Sequence, residues 1–243
     1  MTARPLEQEP TPLPARSVAL SLLLGSHPDR MTPAALIRAG EHFGISPATL
    51  RVALTRAVAA GDLRRVDGDY VLGDRLVARQ RHQDEAVEDA ETAWDGDWEM
   101  AVVVVAGRPG PDRAALRDLL ASARLAELRE GVWTRPANLR RAPAYADDTV
   151  LRAFRTRPAD DDAELAASLW DLTTWARQGE ELVALLADAR DPALRLAAAA
   201  RLVRHLASDP LLPATLLPRG WPGPALRRAY ADYQAELREL SLS

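Results

Sequence analysis

Between Thr32 and Leu72 the sequence predicts two short helices that are joined by a glycine turn and followed by a small hairpin. Apolar residues recur at helical spacing from Leu36 to Phe43, and Pro33 suits the first turn of a helix, where its missing N–H needs no partner. Gly44 can take the positive φ that ends a helix, and Ser46 before a proline is a strong signal for the start of the next one. This layout is typical of a winged helix-turn-helix.

The second helix of the pair, from about Pro47 to Ala60, has an apolar face and a polar face. Leu50, Leu54 and Val58 belong to the apolar face, whereas the opposite face carries hydroxyls and guanidiniums. A helix fits the major groove, where Arg can make a bidentate contact to guanine and Thr can reach a base edge or a thymine methyl group. We therefore expect a recognition helix. Its predicted DNA-contacting residues are Ser46, Thr49, Arg51, Val52, Thr55 and Arg56.

The hairpin after this helix is the predicted wing, since Asp67-Gly68 favours the turn that hairpins need. Arg64 and Arg65 in its first strand are further candidates for DNA contacts. Between Arg30 and Arg65 the chain has six arginines and two acids, a local net charge of +4, whereas the whole chain has a net charge of -4. Binding to nucleic acid would therefore depend on this local basic patch. The alternative is that these arginines form a solvated face and that the helices pack against another domain.

Length and composition limit the remaining possibilities. A chain of 243 residues predicts about two or three compact units, and 47% hydrophobic residues can bury a sizeable core. The absence of cysteine excludes disulfides, thiolate catalysis and Cys-ligated metal centres. No apolar run approaches the roughly 20 residues that a membrane span needs, and the N-terminus lacks a signal-peptide core, so a cytoplasmic protein is expected. Residues 1–14 contain four prolines among polar residues and are predicted to form an extended, disordered tail.

A polar stretch at residues 76–97 is predicted to be a helical linker between the winged-helix domain at residues 15–75 and the body of the protein. Seven carboxylates fall between Asp84 and Asp97. Acids at such density can bind Mg²⁺, but a run of charges is more often a solvated face, and no metal site is predicted here. Repulsion from phosphate would keep this linker away from a DNA duplex.

The body begins with a predicted central domain at residues 98–178, in which strands and helices alternate. The order strand, helix, strand, strand, helix predicts a small ferredoxin-like α+β sandwich. Residues 179–243 are predicted to form a helical C-terminal domain with a break at Asp191-Pro192, so the fold class is α+β and mainly helical. The predicted elements of the central domain are a buried strand at Met100–Ala106, a helix at residues 111–130, strands at Val132–Pro136 and Thr149–Thr156, and a long helix from about Asp162.

Three groups of residues are informative because they occur together and in order. They are Phe43-Gly44-Ile45-Ser46 with Leu50-Arg51 and Ala53; Trp94-Asp95-Gly96-Asp97-Trp98 with Leu116-Arg117 and Gly131-Val132-Trp133-Thr134-Arg135-Pro136; and Arg201-Leu202-Val203-Arg204-His205 with Asp209-Pro210-Leu211-Leu212-Pro213, Leu216-Leu217-Pro218 and Trp221-Pro222-Gly223. With these groups the chain resembles the PaaX family of bacterial transcriptional repressors, which is named for control of phenylacetic acid degradation. The resemblance covers most of the chain, and the prolines at fixed offsets in the third group make it fairly specific.

The resemblance implies a dimeric repressor with an N-terminal winged helix-turn-helix, a central domain similar to the CRISPR protein Cas2 and a helical C-terminal domain. It implies double-stranded operator DNA as a partner, with half-sites about 34 to 36 Å apart or a multiple of that distance. Family members with an assigned inducer respond to an aryl-acetyl-CoA thioester. A ligand that favours a conformation unable to span two half-sites must weaken DNA binding. We therefore expect an acyl-CoA effector similar to phenylacetyl-CoA, no other cofactor and no enzymatic activity.

The chain departs from the family in its wing and in its length. Members of the family usually have a more basic wing with an aromatic residue ahead of it, whereas here Asp62 precedes the hairpin and the turn is Asp67-Gly68-Asp69. Only Arg64 and Arg65 remain as candidates for phosphate contacts from the wing. The chain is also short for the family, through trimming around the wing and the central domain, so its inducer can differ from phenylacetyl-CoA.

Effector contacts and two alternative functions complete the expectations. The candidate effector-binding residues are Trp133, Arg201, His205 and Trp221. Trp can stack on an aromatic acyl group and Arg can pair with CoA phosphates, although core packing and surface ion pairs are their ordinary roles.

One alternative function is that of a DNA-binding protein without effector control, and the other is that of a Cas2-like metal-dependent nuclease. A nuclease would need carboxylates at the end of the first body strand, where the sequence reads Ala106-Gly107-Arg108. The four histidines are scattered, and neither His-Glu-x-x-His nor Gly-x-Ser-x-Gly occurs.

Overall fold

The computed structural model describes most of the chain in four stretches, which are residues 11–26, 29–87, 91–141 and 143–242. His27 and most of the predicted tail at residues 1–14 lie outside the described residues. Within these stretches no helix is long and apolar enough to cross a lipid bilayer.

The chain forms two compact units, each built from separate stretches of sequence. The first unit comprises Met1–Val87, Arg177–Ser208 and Pro222–Ser243, and the second comprises Glu88–Ala176 and Asp209–Trp221. The winged-helix segment and most of the C-terminal helices thus belong to one unit. The domain boundaries expected from the sequence, which separate these segments along the chain, stay a prediction.

Helices predominate in the described residues. In chain order the elements are α1 (Ala15–Leu24), β1 (Arg30–Met31), α2 (Pro33–His42), α3 (Pro47–Ala59), β2 (Leu63–Val66), β3 (Asp69–Leu72), α4 (Asp74–Val87), β4 (Trp98–Val103), α5 (Gly110–Ser122), β5 (Ala126–Arg129), β6 (Val132–Pro136), β7 (Leu151–Thr156), α6 (Asp162–Leu169), α7 (Leu172–Asp188), α8 (Pro192–Ala207) and α9 (Gly223–Leu242), with one-turn helices at Ala144–Asp147 and Ala214–Leu216.

Elements α1 to β3 have the order of a winged helix-turn-helix, with a short first strand in addition to the predicted hairpin. The three strands are antiparallel and lie in the order β1-β3-β2. Both α1 and α2 pack against α3, whose buried face includes Leu50 and Leu54. A Cβ atom on Gly40 of α2 would lie 2.7 Å from Cδ2 of Leu50, so glycine is what lets α2 and α3 approach this closely. This packing holds one face of α3 inside the unit and leaves the opposite face exposed.

Helix α4, which the sequence analysis interprets as part of a linker, packs against α8 in the first unit. Its composition is polar, yet Gln80 is buried and its side-chain amide donates to the carbonyls of Leu24 at 3.0 Å and Ser26 at 3.2 Å. Nε2 of His82 lies 3.0 Å from the carbonyl oxygen of Ala207 at the end of α8. Buried polar groups with such partners are compatible with a packed interior. The helix is therefore a structural part of the unit and not only a solvated connector.

The second unit is built on a four-stranded antiparallel sheet with the order β5-β6-β4-β7. This is the strand order of a ferredoxin-like sheet and agrees with the fold predicted for the central domain. Its core includes Leu116 and Leu120 of α5, Trp133 of β6 and Leu151 of β7. The connection from β6 to β7 contains the one-turn helix at Ala144–Asp147 where a ferredoxin-like fold has a full helix.

The helix predicted at residues 111–130 is wrong in its length, since α5 ends at Ser122. Arg124 takes a positive φ of 62°, and the N–H of Leu125 bonds to the carbonyl of Leu120 at 3.0 Å. The chain then enters β5, a strand that the sequence analysis missed. A left-handed residue commonly ends a helix, but that residue is usually glycine. Arg124 therefore gives no signal of this helix end in the sequence.

The long helix predicted from Asp162 is also wrong, because it is two helices. The first ends at Leu169, and Trp170 has an extended backbone with φ -129° and ψ 135°. The carboxylate of Asp171 accepts from the N–H of Thr174 at 3.0 Å, so a new helix begins with a side-chain cap. The first body strand is shifted in the same way, since β4 covers Trp98–Val103 and not Met100–Ala106.

Two of the sequence groups that carry the family resemblance meet in the second unit. Arg135 of β6 is fully buried, and its guanidinium donates to the carbonyls of Pro210 at 3.2 Å and Leu211 at 2.9 Å. It also donates to Oδ1 of Asn138 at 2.9 Å and lies 3.2 Å from the carboxylate of Glu99. Burial lowers the pKa of Arg135 to about 9, which still leaves the guanidinium protonated at neutral pH. Arg135 thus fastens the loop after α8 to the sheet.

Candidate nucleic-acid interface

The outer face of α3 is exposed along the length of the helix. Val52, at 51% exposure, lies on this face among hydroxyl and guanidinium groups. None of the predicted DNA-contacting side chains is packed into the protein interior. The exposed residues of this face, which we call the α3 outer face, are Ser46, Thr49, Arg51, Val52, Thr55 and Arg56. Their contact with DNA stays a prediction, but the geometry that it needs is present.

Local hydrogen bonds fix the start of α3. Oγ of Ser46 accepts from the N–H of Thr49 at 3.2 Å, and the two side-chain hydroxyls lie 2.9 Å apart. Pro47 is the first residue of the helix, as the sequence predicts. The exposed N–H groups and hydroxyls at such a helix end are a suitable environment for a phosphate oxygen.

The two arginines of the α3 outer face have no electrostatic partner in the described part of the chain. Neither Arg51 nor Arg56 forms an ion pair or side-chain hydrogen bond with a described residue. The hydroxyl of Thr55 donates to the carbonyl of Arg51 at 3.0 Å, so it meets a ligand mainly as an acceptor. The guanidinium donors of Arg51 and Arg56 can therefore meet a base edge or a phosphate without first breaking an ion pair.

The wing is a tight hairpin with the predicted turn. Asp67 and Gly68 both have positive φ, at 51° and 89°, as the common two-residue hairpin turn requires. Arg64 is exposed and lies 3.4 Å from the carboxylate of Asp74. Arg65 is exposed with its guanidinium 4.4 Å from the ring centroid of Tyr70. Both predicted wing arginines thus lie on the surface, but each has a partner within the wing region.

The acids of the wing turn are compensated by a residue of β1. Arg30 donates through Nε to Asp69 at 2.7 Å and through Nη2 to Asp67 at 3.3 Å and to the carbonyl of Val66 at 3.2 Å. The hydrogen bond to Asp69, followed by the one to Asp67, raises the pKa of Arg30 above its ordinary value. The wing turn is therefore less negative than its sequence indicates.

Asp62, the acid that precedes the hairpin, is buried and paired in the folded protein. Its side chain is only 3% exposed and is bonded to Arg16 of α1 and, at 2.7 Å, to Arg75 of α4. The hydrogen bond from Arg16 is the main cause that lowers the pKa of the Asp62 carboxyl. Asp62 therefore ties the base of the hairpin to two helices.

The four candidate effector residues are divided between the two units. Arg201 and His205 belong to α8 in the first unit, whereas Trp133 and Trp221 belong to the second. Trp133 is buried and lines a groove of about 710 Å³. Trp221 stacks on Trp175, with 4.3 Å between ring centroids and 10° between ring planes. Arg201, His205 and Trp221 do not line that groove. Their role in effector binding stays a prediction.

A smaller cavity in the first unit was not anticipated from the sequence. It has a volume of about 130 Å³, and its walls include Arg79 of α4, Arg204 of α8, and Tyr230 and Tyr233 of α9. The spacing of the two tyrosines does place them on one face of a helix. The arginine of α4 carries no such signal, because the elements that meet at this cavity are far apart in the sequence.

The position that a Cas2-like nuclease would use carries no carboxylate. The chain leaves β4 after Val103 and continues through Val104–Arg108, where Val104 and Val105 are exposed. Within the described stretches, no group of three or more His, Cys, Asp or Glu side chains is placed to hold a metal ion. Glu88 and Asp89 of the acidic run lie outside the described residues.

Comparison with known proteins gives a consistent result along the chain. One family model, described as PaaX-like protein, matches residues 14–76; a second, described as PaaX protein central Cas2-like domain, matches residues 91–156; and a third, described as PaaX-like protein C-terminal domain, matches residues 170–243. No curated protein matches the chain. A solved structure of the uncharacterized protein Rv0674 from Mycobacterium tuberculosis is 47% identical with a TM-score of 0.78, and the match covers 93% of this chain and 97% of that chain.

Proposed function

Because the chain belongs to the PaaX family of transcriptional regulators, we propose that it is a sequence-specific DNA-binding repressor that an acyl-CoA effector releases from its operator. The observation that supports this most directly is the α3 outer face, where Arg51 and Arg56 are exposed and form no ion pair with a described residue. A basic helix surface that is held firmly from behind is what major-groove recognition needs.

In this proposal α3 enters the major groove and the wing contacts the backbone. Arg51 reads a guanine edge, while Thr49 and Arg56 contact bases or phosphates on either side. Arg64 and Arg65 meet phosphate at the adjacent backbone, which requires Arg64 to exchange its contact with Asp74. Affinity should then fall with salt, because each neutralised phosphate releases counterions.

We propose that the protein binds as a homodimer through its second unit. β7 is an edge strand of the four-stranded sheet, and Phe154 on this strand is 53% exposed. An edge strand with an exposed aromatic side chain is a natural site for pairing with a second copy. A dimer would present two recognition helices to two half-sites, about 34 to 36 Å apart or a multiple of that distance. Phe154→Arg should therefore yield monomers in sedimentation and weaken operator binding.

The effector acts in this proposal through differential affinity for two conformations. A ligand that binds better to the conformation unable to span both half-sites lowers the affinity for DNA by the ratio of its two binding constants. The support for an acyl-CoA thioester is the family to which the chain belongs. The protein acts where the bacterial chromosome is, in the cytoplasm.

In the experiment, DNA of the promoter beside the gene for this protein is titrated with the protein. Binding is measured by gel shift and by fluorescence anisotropy. We expect binding at least tenfold tighter than to unrelated DNA, and loss of binding when one member of a panel of acyl-CoA esters is added. Transcription in vitro from this promoter should fall on addition of the protein and recover with the same ester. Equal affinity for promoter and unrelated DNA would overturn the proposal. Binding that no ester reverses would favour a regulator without effector control, and Mg²⁺-dependent cleavage of the DNA would favour the nuclease.

A further inference from the structure

Val52 is the one apolar side chain of the α3 outer face, and it is 51% exposed. Single exposed apolar residues are common on protein surfaces. At an exposed helix position, however, packing does not select the residue, and a β-branched side chain is a weaker helix former than alanine or a long unbranched one. The fold of the first unit therefore gives no reason for a valine at this position.

Thr55, almost one helical turn after Val52, is exposed as well and has its hydroxyl hydrogen already in use. The hydroxyl donates to the carbonyl of Arg51 at 3.0 Å, so no donor remains for a base edge. Thr55 meets a partner through its γ-methyl group and the acceptor side of its oxygen. Residues three apart are neighbours on a helix surface, and both side chains are restricted at χ1. Their methyl groups are thus held in place before any contact with DNA forms.

Arg51 and Arg56 lie on either side of these two residues. Five residues of an α-helix place two side chains about 140° apart around its axis, and Val52 and Thr55 fall within that arc. Both arginines are exposed, and neither forms an ion pair with a described residue. This charge favours a polyanion as the partner of the surface over an apolar protein surface. With α3 in the major groove, the methyl groups face the base edges between the two guanidiniums.

The base edges in the major groove offer one apolar group, which is the C5-methyl group of thymine. The other exposed groups are nitrogen and oxygen acceptors and amino donors. A valine side chain that covers such a polar group removes its water without replacing the hydrogen bond, which is unfavourable. Val52 therefore favours thymine at the position that it covers and disfavours the other bases.

We propose that Val52 and Thr55 are specificity-determining residues that contact the C5-methyl groups of thymines in each operator half-site. The inference rests on the sequence-specific DNA binding of the proposed function, and it requires neither repression nor an effector. Each contact removes about one methyl-sized apolar group from water, which corresponds to a change of about fourfold in affinity.

The first experiment removes the methyl groups from the DNA. The operator is defined by selection from a pool of random duplexes and by footprinting, and each thymine is then replaced by uracil at the same position of both half-sites. Uracil lacks only the C5-methyl group and keeps the hydrogen-bonding edges of thymine. We expect affinity, measured by fluorescence anisotropy, to fall about fourfold per half-site at one or two thymine positions. Unchanged affinity at every position, or half-sites without thymine, would overturn the inference.

The second experiment removes methyl groups from the protein. Val52→Ala introduces a better helix former, and Thr55→Ser keeps the hydroxyl that bonds to the carbonyl of Arg51, so neither variant should lower the melting temperature. Each variant should bind the thymine operator more weakly and lose the discrimination against uracil at one position. Such non-additivity identifies two groups in contact. Val66→Ala, at an exposed valine of the wing, is the matched control and should keep full discrimination.

The results separate this inference from the proposed function. Discrimination against uracil that persists in Val52→Ala or in Thr55→Ser would overturn the role of the residue that was replaced. Equal loss of discrimination in Val66→Ala would overturn the assignment to α3. Specific operator binding that depends on no thymine methyl group would overturn the inference and leave the proposed function intact. A selection that yields no preferred sequence would overturn both.

Discussion

The guanidinium of Arg30 lies 2.7 Å from the carboxylate of Asp69, and this ion pair changes the charge that the wing presents. The same guanidinium reaches Asp67 at 3.3 Å, so both acids of the hairpin turn share one cation from β1. The sequence alone indicates a wing that repels phosphate. In the folded protein that repulsion is largely compensated, and Arg30 is a compensating charge and not a free phosphate ligand.

Arg30→Gln should therefore weaken DNA binding more than the loss of an ordinary phosphate contact, because it leaves Asp67 and Asp69 uncompensated beside the duplex. The same substitution in a protein that also carries Asp67→Asn and Asp69→Asn should have little effect. Fluorescence anisotropy at several salt concentrations measures both. An equal loss of affinity in the two backgrounds would show that Arg30 contacts DNA directly.

Arg51→Ala should reduce specific operator binding by about 1 to 3 kcal/mol and relax base preference, because a bidentate contact to a base edge would be lost. Arg64→Ala is the matched comparison on the wing. It should weaken binding to all sequences alike and reduce the salt dependence by about one counterion. Competition between operator and base-substituted duplexes measures the difference. A loss that is the same on every sequence would make Arg51 only a phosphate contact.

Because of Asp62, the free energy of unfolding should depend on pH in the acid range. Its pKa is lowered in the folded state, mainly by the hydrogen bond from Arg16. A carboxyl of this kind contributes stability that is complete above its unfolded-state pKa, about 4, and is lost as pH falls through the folded-state pKa. Asp62→Asn should cost about 1 to 2 kcal/mol of unfolding free energy at pH 7, since two charge-assisted hydrogen bonds are weakened.

The difference between wild type and Asp62→Asn should then shrink as pH falls below about 4, because the carboxyl is protonated first in the unfolded chain and, at lower pH, also in the folded protein. Urea unfolding at a series of pH values measures this. Glu41→Gln, at an exposed acid of α2, is the control for a general charge effect. If the stability difference stays constant over the whole pH range, the ion pairs of Asp62 are not its cause.

The helix-turn-helix and its hairpin could be predicted because their signals are local. Thr32 caps α2 by accepting from the N–H of Ala35 at 3.1 Å, and Pro33 follows it at the first turn. Gly44 has the positive φ of 74° that ends this helix region. Each of these signals depends on one or two neighbouring residues, and helical periodicity then assigns the side chains of α3 to an inner and an outer face.

The features that were missed depend on contacts between distant residues or on conformations without a sequence signal. Asp62 is buried and paired with Arg16, which is far away in the sequence, as well as with Arg75. Arg79 and Arg204 meet at one cavity although they belong to α4 and α8. Arg124 ends α5 in a conformation that glycine usually provides. The polar composition of α4 predicts a solvated helix. Only the folded structure shows which of its polar side chains form hydrogen bonds with backbone carbonyls.

Arg135→Met should strongly destabilise the second unit, by about 3 to 5 kcal/mol, because it leaves the partners of a buried cation without their donors. The carbonyls of Pro210 and Leu211 would lose hydrogen bonds of 3.2 Å and 2.9 Å, and Glu99 would lose the cation at 3.2 Å. Arg129→Met, at an exposed position of β5, is the matched control and should change stability by only about 0.5 kcal/mol. Urea unfolding followed by tryptophan fluorescence compares the two. Similar unfolding midpoints for both variants would show that the loop after α8 does not depend on Arg135.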